Sequence, residues 1–346
     1  MILLFERRFG GQVWRPIGRD WWEQGYWKVY DHPATVSQFL DIGGATPDGT
    51  EPLNNVIGNG AQIGNDGKRM PVYHCFDIDS RESNKGITLE GFLNTSIDFV
   101  IATIPAHVKP FYDLCQRHPS RPKLIYQIGN AWNIADEFTS LVDGIMASAR
   151  IDRVSNKPMV EYHQEFDLDI FYPSFKSIPE NNIFSFINCF NIDQLFADDW
   201  QLFETMENLM APNWNFKAYG GQCRDGAAHG ARELSTAMRS AKFIWHTKRG
   251  GDGYGHVVHN SAAVGRPTIV NRSYYSGKLA ESLLIDGETC IVIDGLGPNE
   301  IKNKIDHYSQ RREYSTLAHN VADNFRKVVD FDAESKTIRA FLESLL

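Results

Sequence analysis

The strand-and-helix alternation over residues 183–294 most constrains what this chain can fold into. Short apolar, β-rich runs take turns with helical stretches: IFSFINCF (183–190), DDWQLFETMENLM (198–210), FKAYGG (216–221), ARELSTAMRSA (231–241), KFIWHT (242–247), GHVVHNSAAV (255–264), PTIVN (267–271) and ETCIVID (288–294). Such a run of βα units predicts a parallel sheet covered by helices. GPNEIKNKIDHYSQ (297–310) and the tail ESKTIRAFLESLL (334–346) read as further helices.

The first half carries a looser version of the same pattern. Strands are expected in GQVWRPIG (11–18), MPVYHCF (70–76), IDFVIATIP (97–105), KLIYQIGN (123–130) and PMVEYHQEF (158–166), with VKPFYDLCQRH (108–118) as a crossover helix. ILLFERRFGGQVW reads better as the end of a helix leading into a strand, which leaves the first sheet without an opening strand. FYPSFKSIPENN (171–182), with its prolines and asparagines, reads as a linker. A length of 346 residues suits two domains of roughly 100–200 residues each. The expected divisions are 1–174, an amino-terminal Rossmann-like domain; 175–325, a carboxy-terminal one; and 326–346, a final helix packing back toward the first. Two α/β halves of this kind place a cleft between them, at the carboxyl ends of both sets of strands.

Composition narrows the function classes. No apolar run approaches the ~20 residues of a membrane span, so no integral membrane contact is expected. MILLFERRFG is apolar for too short a stretch to read as a secretory signal. The five cysteines (Cys75, Cys115, Cys189, Cys223, Cys290) are scattered and form no C-x-x-C pair. They favour a reducing, cytoplasmic setting over a disulfide or zinc framework. A net charge of −8 gives no global attraction to nucleic acid, although basic clusters such as ERRFGGQVWRPIGR and RHPSRPK leave local grooves open.

HTKRGGDGYGHVVHNSAAVGRPTIV (246–270) is the segment with the most chemistry in it. Gly250, Gly251, Gly253 and Gly255 permit positive φ and close approach of backbone to a ligand. The helix that follows starts with unpaired N–H groups and the positive end of its dipole, a ready phosphate site. Lys248 and Arg249 add positive charge, and His246 adds a donor. Gly265 and Pro267 end the helix. Asp252 either caps that helix or holds ligand hydroxyls, and both can be true. The segment fits neither the G-x-G-x-x-G nor the Walker pattern, which disfavours a dehydrogenase or an NTPase. The plain alternative is a tight βα turn that binds nothing.

This segment resembles the carboxy-terminal domain of GT-B fold glycosyltransferases, especially the retaining glycogen-synthase/sucrose-synthase-like group (glycosyltransferase group 1). Asp252 stands at that family's first acidic position, Tyr254–Gly255 at its turn, and Gly265 and Pro267 at the closing G-x-P. Asn260 stands eight positions after Asp252, where the family has a second acid. EYHQEFDLDIFYPS is similar to the family's domain-joining stretch at Asp167, Phe171 and Pro173, and FKAYGGQ, with Gly220 and Gly221, to the strand bordering the nucleotide base. The family's basic pair after the first carboxy-terminal strand has no counterpart in NCFNIDQ.

The resemblance implies an α/β GT-B fold of two Rossmann-like parallel-sheet domains facing each other across a cleft. It implies an enzyme that moves a sugar from a UDP- or GDP-linked donor, a co-substrate rather than a cofactor, to an acceptor hydroxyl, with retention and without metal. Asp252, Lys248 and His107 are its candidates at the reacting atoms. Gly220, Gly221, His246, Arg249, Gly253, Tyr254, Gly255, His256 and Asn260 are candidates for the donor. Asp20, Trp21, Asp77, Gly129 and Asn130 are candidates for the acceptor side, where the aromatic cluster PIGRDWWEQGYW either stacks on a sugar or base or is packed in the core. The acceptor is a glycan, a small molecule or a hydroxylated DNA base of the kind that phage base glycosyltransferases modify; a non-catalytic nucleotide-sugar-binding protein is the remaining alternative. Two D-x-D patterns, Asp77–Asp79 and Asp167–Asp169, are short enough to be chance, and no metal site is expected.

Overall fold

The computed structural model describes residues 4–16, 60–63, 69–72, 86–87, 89–103, 105–129, 136–149 and 156–346. The chain divides into two compact units, Met1–Phe166 with Phe331–Leu346, and Asp167–Asp330.

In the first unit, β1 (Arg15–Pro16), β2 (Gly60–Ile63), β3 (Arg69–Val72), β4 (Gly86–Ile87) and α1 (Leu89–Asn94) precede the main sheet. Leu4–Arg8 forms a single wide helical turn, and β1 pairs in parallel with β4. MPVYHCF contributes β3, which pairs antiparallel with β2 outside the main sheet. That sheet has four parallel strands in sequential order: β5 (Phe99–Ala102), β6 (Lys123–Ile128), β7 (Gly144–Ala147) and β8 (Met159–Glu161). The crossover α2 (Pro105–Arg117) runs between β5 and β6, and α3 (Asp136–Leu141) between β6 and β7.

The second unit holds five parallel strands, β9 (Asn182–Ser185), β10 (Asn215–Ala218), β11 (Phe243–Trp245), β12 (Thr268–Val270) and β13 (Cys290–Val292). Their order in space is β10-β9-β11-β12-β13. Chain order therefore reverses between β9 and β11, and open α/β sheets bind ligands outside the carboxyl ends of the strands at that reversal. The connecting helices are α4 (Ala197–Met210), α5 (Gly230–Ser240) and α6 (His256–Ala263), followed by α7 (Pro298–Ser309) and α8 (Arg311–Val328). Phe203, Met206 and Met210 of α4 repeat at helical spacing and pack with Phe216, Phe243 and Trp245 of the sheet.

The last helix, α9 (Phe331–Leu345), belongs to the first unit although it follows the second in sequence. Ile338, Leu342 and Leu345 are buried with Ile125, Met146, Val160 and Tyr162 of β6, β7 and the end of β8. Gly144 permits that approach: a Cβ there would lie 2.7 Å from the Phe341 ring and 2.8 Å from Leu345.

Candidate functional site

The carboxyl edge of the second sheet, at the β9/β11 reversal, is built from the loop after β11. Phe243, Ile244 and Trp245 are fully buried, and the strand is extended by the His246 N–H, which donates to Ile269 O at 2.9 Å. The chain then turns: the Gly251 N–H donates to Lys248 O at 2.7 Å. Gly250, Gly251 and Gly255 have φ of 74°, 64° and 83°. Gly253, expected to share this role, is not among the positive-φ glycines. At Gly251 the requirement is also steric, since a Cβ would sit 2.3 Å from Tyr274 O.

Of the two roles open to Asp252, capping α6 is the one the structure does not show. Gly255, in the left-handed region, occupies the cap position, and no side chain caps the helix. The three-residue separation leaves the Asp252 carboxylate with other partners. His246 Nε2 donates to its Oδ2 at 2.8 Å and Lys248 Nζ to its Oδ1. Burial alone would push this carboxyl up, but the hydrogen bond and charge of His246 and the charge of Lys248 outweigh it. The group is held well below the ordinary carboxylate value. His246 is 1% exposed, and its Nδ1 has no hydrogen-bond partner.

Around α6 the remaining candidates divide by burial. Tyr254 is buried and stacks on His259 with ring centroids 4.1 Å apart, and His259 Nδ1 donates to Gly255 O at 2.9 Å. These two contacts hold the cap residue and the first turn rigidly. His256, in that first turn, is exposed. Asn260 is buried one turn further on, and its Oδ1 has no hydrogen-bond partner.

Arg249 is engaged elsewhere. Its guanidinium pairs with Asp198 at 2.5 Å, and its backbone N–H donates to Asp199 Oδ2 at 3.0 Å. Both acids lie in the first turn of α4, the helix that follows β9. Asp199 is buried; desolvation raises its carboxyl, opposed by the Arg249 N–H. Gly220 and Gly221 end β10 against the loop after β9. A Cβ at Gly220 would lie 2.8 Å from Ile187 O, and the Gly221 N–H donates to Asn188 Oδ1 at 2.8 Å.

Sequence reasoning missed several groups here. Asp198 and Asp199 are acids at a helix start, a common complement to the dipole, and nothing local ties them to a residue fifty positions later. Lys278 was also missed: its Nζ donates to Gly250 O at 2.5 Å, and it lies within electrostatic reach of Asp252 and Lys248. Tyr275 is fully buried, its ring centroid 6.3 Å from that of His246.

In the first unit, His107 lies in the first turn of α2. It is buried, its ring centroid is 5.4 Å from that of Phe111, and burial lowers its pKa. Gly129 follows β6, where a Cβ would meet the Gln127 and Gln164 amides. Those amides both donate to Ser148 Oγ, at 3.1 and 2.6 Å, a polar cluster at the strand ends that the sequence did not single out. Asp20, Trp21, Asp77 and Asn130 lie outside the described residues. Of the two D-x-D patterns, the first lies there too. In the second, Asp167 Oδ1 accepts the Asp169 N–H at 2.9 Å, an ordinary turn. Among the described residues no cluster of three or more His, Cys, Asp or Glu side chains could hold a metal, and no helix is long and apolar enough to cross a membrane.

No protein-family profile matches the chain, and no curated protein matches it. Solved structures do. The Anabaena protein Alr3699/HepE in complex with UDP-glucose superposes with a TM-score of 0.56 at 11% identity, over 71% of this chain and 79% of that one. An alpha-glucosyltransferase in complex with UDP-glucose and DNA containing an abasic site gives 0.54 at 10% identity, over 75% and 86%. The pneumococcal O-GlcNAc transferase GtfA in complex with UDP and GlcNAc gives 0.53 at 12% identity, over 72% and 57%. At these identities the likeness establishes the fold: the chain has a GT-B fold, built of two parallel-sheet α/β units.

Proposed function

We propose that this chain is a glycosyltransferase that moves a sugar from a nucleotide-sugar to an acceptor hydroxyl. One observation carries the reading: the Asp252 carboxyl group, held by His246 and Lys248, stands at a glycine-loop and helix junction on the sheet's reversal edge. The fold shared with proteins seen bound to UDP or UDP-glucose supports the same ligand class.

In the transfer, the bond between the anomeric carbon and the β-phosphate oxygen breaks, and its electron pair goes to that oxygen. The first-turn N–H groups of α6 and the Lys248 ammonium stabilise the growing negative charge without reorganising. Asp252 accepts donor-sugar hydroxyls and favours the positive charge developing at the anomeric carbon. The acceptor oxygen forms the new bond, and its proton passes to the departing diphosphate, which is consistent with retention. Asn260, whose buried carbonyl oxygen has no hydrogen-bond partner, would accept a ribose hydroxyl where an acid otherwise does so. Gly220 and Gly221 border the base. The first unit, through Gly129 and its amide cluster, holds the acceptor.

The test is a thermal-shift screen of UDP- and GDP-sugars, since a ligand at 100 times its Kd stabilises by about 2.7 kcal/mol, followed by transfer assays with the best donor. Transfer is expected to survive EDTA, because cation and amides already serve the leaving group. Specific loss in EDTA that manganese or magnesium restores would overturn the metal-free part. Donor binding without transfer or hydrolysis would leave a binding protein. A DNA-base acceptor is the second reading, motivated by the likeness to the DNA-bound glucosyltransferase. It requires transfer to duplex DNA that falls steeply with salt, as phosphate contacts release counterions.

A further inference from the structure

The loop after β9 forms one flank of the reversal edge and carries no positive charge: no Lys, Arg or His occurs between Lys176 and Lys217. It carries acids instead, and Asp198 engages Arg249 from that side. Arg272, on the segment after β12, faces Glu281 at 3.6 Å. Lys248 is bound to Asp252. A donor with a diphosphate brings two negative charges to a place where Lys248 and Asp252 already cancel.

Lys278 differs from these cations. Its hydrogen-bond partner is a neutral carbonyl, Gly250 O, and Asp252 acts on it only through space, not as a paired carboxylate. An ammonium has three donors, and one such bond leaves others for phosphate oxygens. The position a Cβ would take on Gly250 is open space, with no atom within 4 Å, so a ligand has room over the loop. At the next residue the Lys278 ammonium lies against the loop, since a Cβ on Gly251 would be 2.6 Å from its Nζ.

We propose that Lys278 is the second cation of the donor site, binding the diphosphate across the glycine loop from Lys248. This rests on the nucleotide-sugar reading and replaces the missing positive charge of the β9 flank. Burial lowers the Lys278 pKa, with Asp252 opposing and Lys248 adding to the effect, so an arriving dianion relieves an unfavourable charge. The competing account is mechanical: Lys278 only braces Gly250.

Two measurements separate them. The first compares Kd for UDP and UMP, and for GDP and GMP, in the wild type and in Lys278→Gln, with melting temperature as a control. A lost charge-assisted contact predicts diphosphate binding weakened about 10- to 100-fold, with monophosphate binding nearly unchanged. Equal weakening of both forms, or a lowered melting temperature with the preference for diphosphate intact, would show a brace and overturn the proposal. The second needs no variant. In the wild type, amine acylation followed by mass spectrometry should show Lys278 protected by the diphosphate and not by the monophosphate; equal reactivity with both overturns it. If the wild type binds none of the four nucleotides, the donor reading fails first and Lys278 falls with it. If it binds them and the ratio survives Lys278→Gln, Lys278 alone is excluded.

Discussion

At Asp252 the structure replaces one expectation with a sharper one. As a cap, the residue would tolerate asparagine, because asparagine caps as well as aspartate. As the shared partner of His246 and Lys248 it does not: an amide offers one acceptor and turns an N–H₂ toward a second donor. Asp252→Asn is expected to cost about 1–3 kcal/mol of stability and to slow transfer as well. A variant with wild-type melting temperature and turnover would remove Asp252 from the site. The pH dependence follows from the depressed carboxyl. Its contribution to stability is fully present above the ordinary aspartate value and is lost as pH falls below it, through the folded-state value. Wild type should therefore lose more stability than Asp252→Asn between pH 7 and pH 3, and parallel melting curves would contradict the pairing. Lys248→Ala leaves the carboxylate with His246 alone. If Lys248 serves the leaving group, turnover should fall about 100- to 1000-fold, with donor Kd changing much less because that charge grows in the transition state.

The loop between β11 and α6 is an element defined by what braces it. Gly251→Ala places a Cβ against Tyr274 O in a left-handed backbone, a penalty of at least ~1–2 kcal/mol. The loop must move to accommodate it, so diphosphate affinity should drop together with melting temperature. Asp199→Asn keeps an acceptor for the Arg249 N–H, whereas Asp199→Ala leaves that N–H unpaired. Donor KM should rise in the alanine variant and be largely restored in the asparagine variant. Equal KM values in the two would show that the α4 acids do not position the loop. This element also marks how far the sequence could be read. The glycines, the helix start and the closing Gly265 and Pro267 are local signals, so β11, α6 and β12 were legible. So were α4, α5 and α7, each an amphipathic run with a clear stop. Helix α8 was not singled out, although Tyr314, Leu317, Ala318, Val321, Ala322 and Phe325 repeat at helical spacing and are buried. The partners of Asp252, Arg249 and Gly250 divide by distance along the chain. His246 and Lys248 lie nearby, but their pairing depends on how tightly the loop turns. Asp198, Asp199 and Lys278 come from other βα units and are brought in only by strand order.

For the whole molecule, the telling feature is that α9 completes the first unit from the far end of the chain. Its apolar stripe was legible as a helix, and its place on the sheet is set by Gly144, Ile125 and Met146. Polar contacts fix its start: Glu334 accepts the His163 N–H at 2.8 Å, and Arg8 bridges Glu165 and Asp332. Burying an Ile or Leu side chain contributes about 1.5–3 kcal/mol, so Ile338, Leu342 and Leu345 together approach the ~5–15 kcal/mol margin of a whole domain. Deleting residues 331–346 should therefore loosen the first unit selectively. Hydrogen exchange in β6, β7 and β8 should rise sharply, while β9 to β13, whose core is formed without α9, keep their protection. Gly144→Val tests the same contact without shortening the chain: overpacking at this distance costs about 1–3 kcal/mol and should destabilise those same strands. If either change loosened the second unit as much as the first, α9 would not be the first unit's own element. Nucleotide binding gives an independent check, because every residue assigned to the donor lies between Asn188 and Lys278, within the second unit. The truncated chain should keep its preference for a nucleoside diphosphate, and under the proposed assignment of the acceptor to the first unit it should lose transfer.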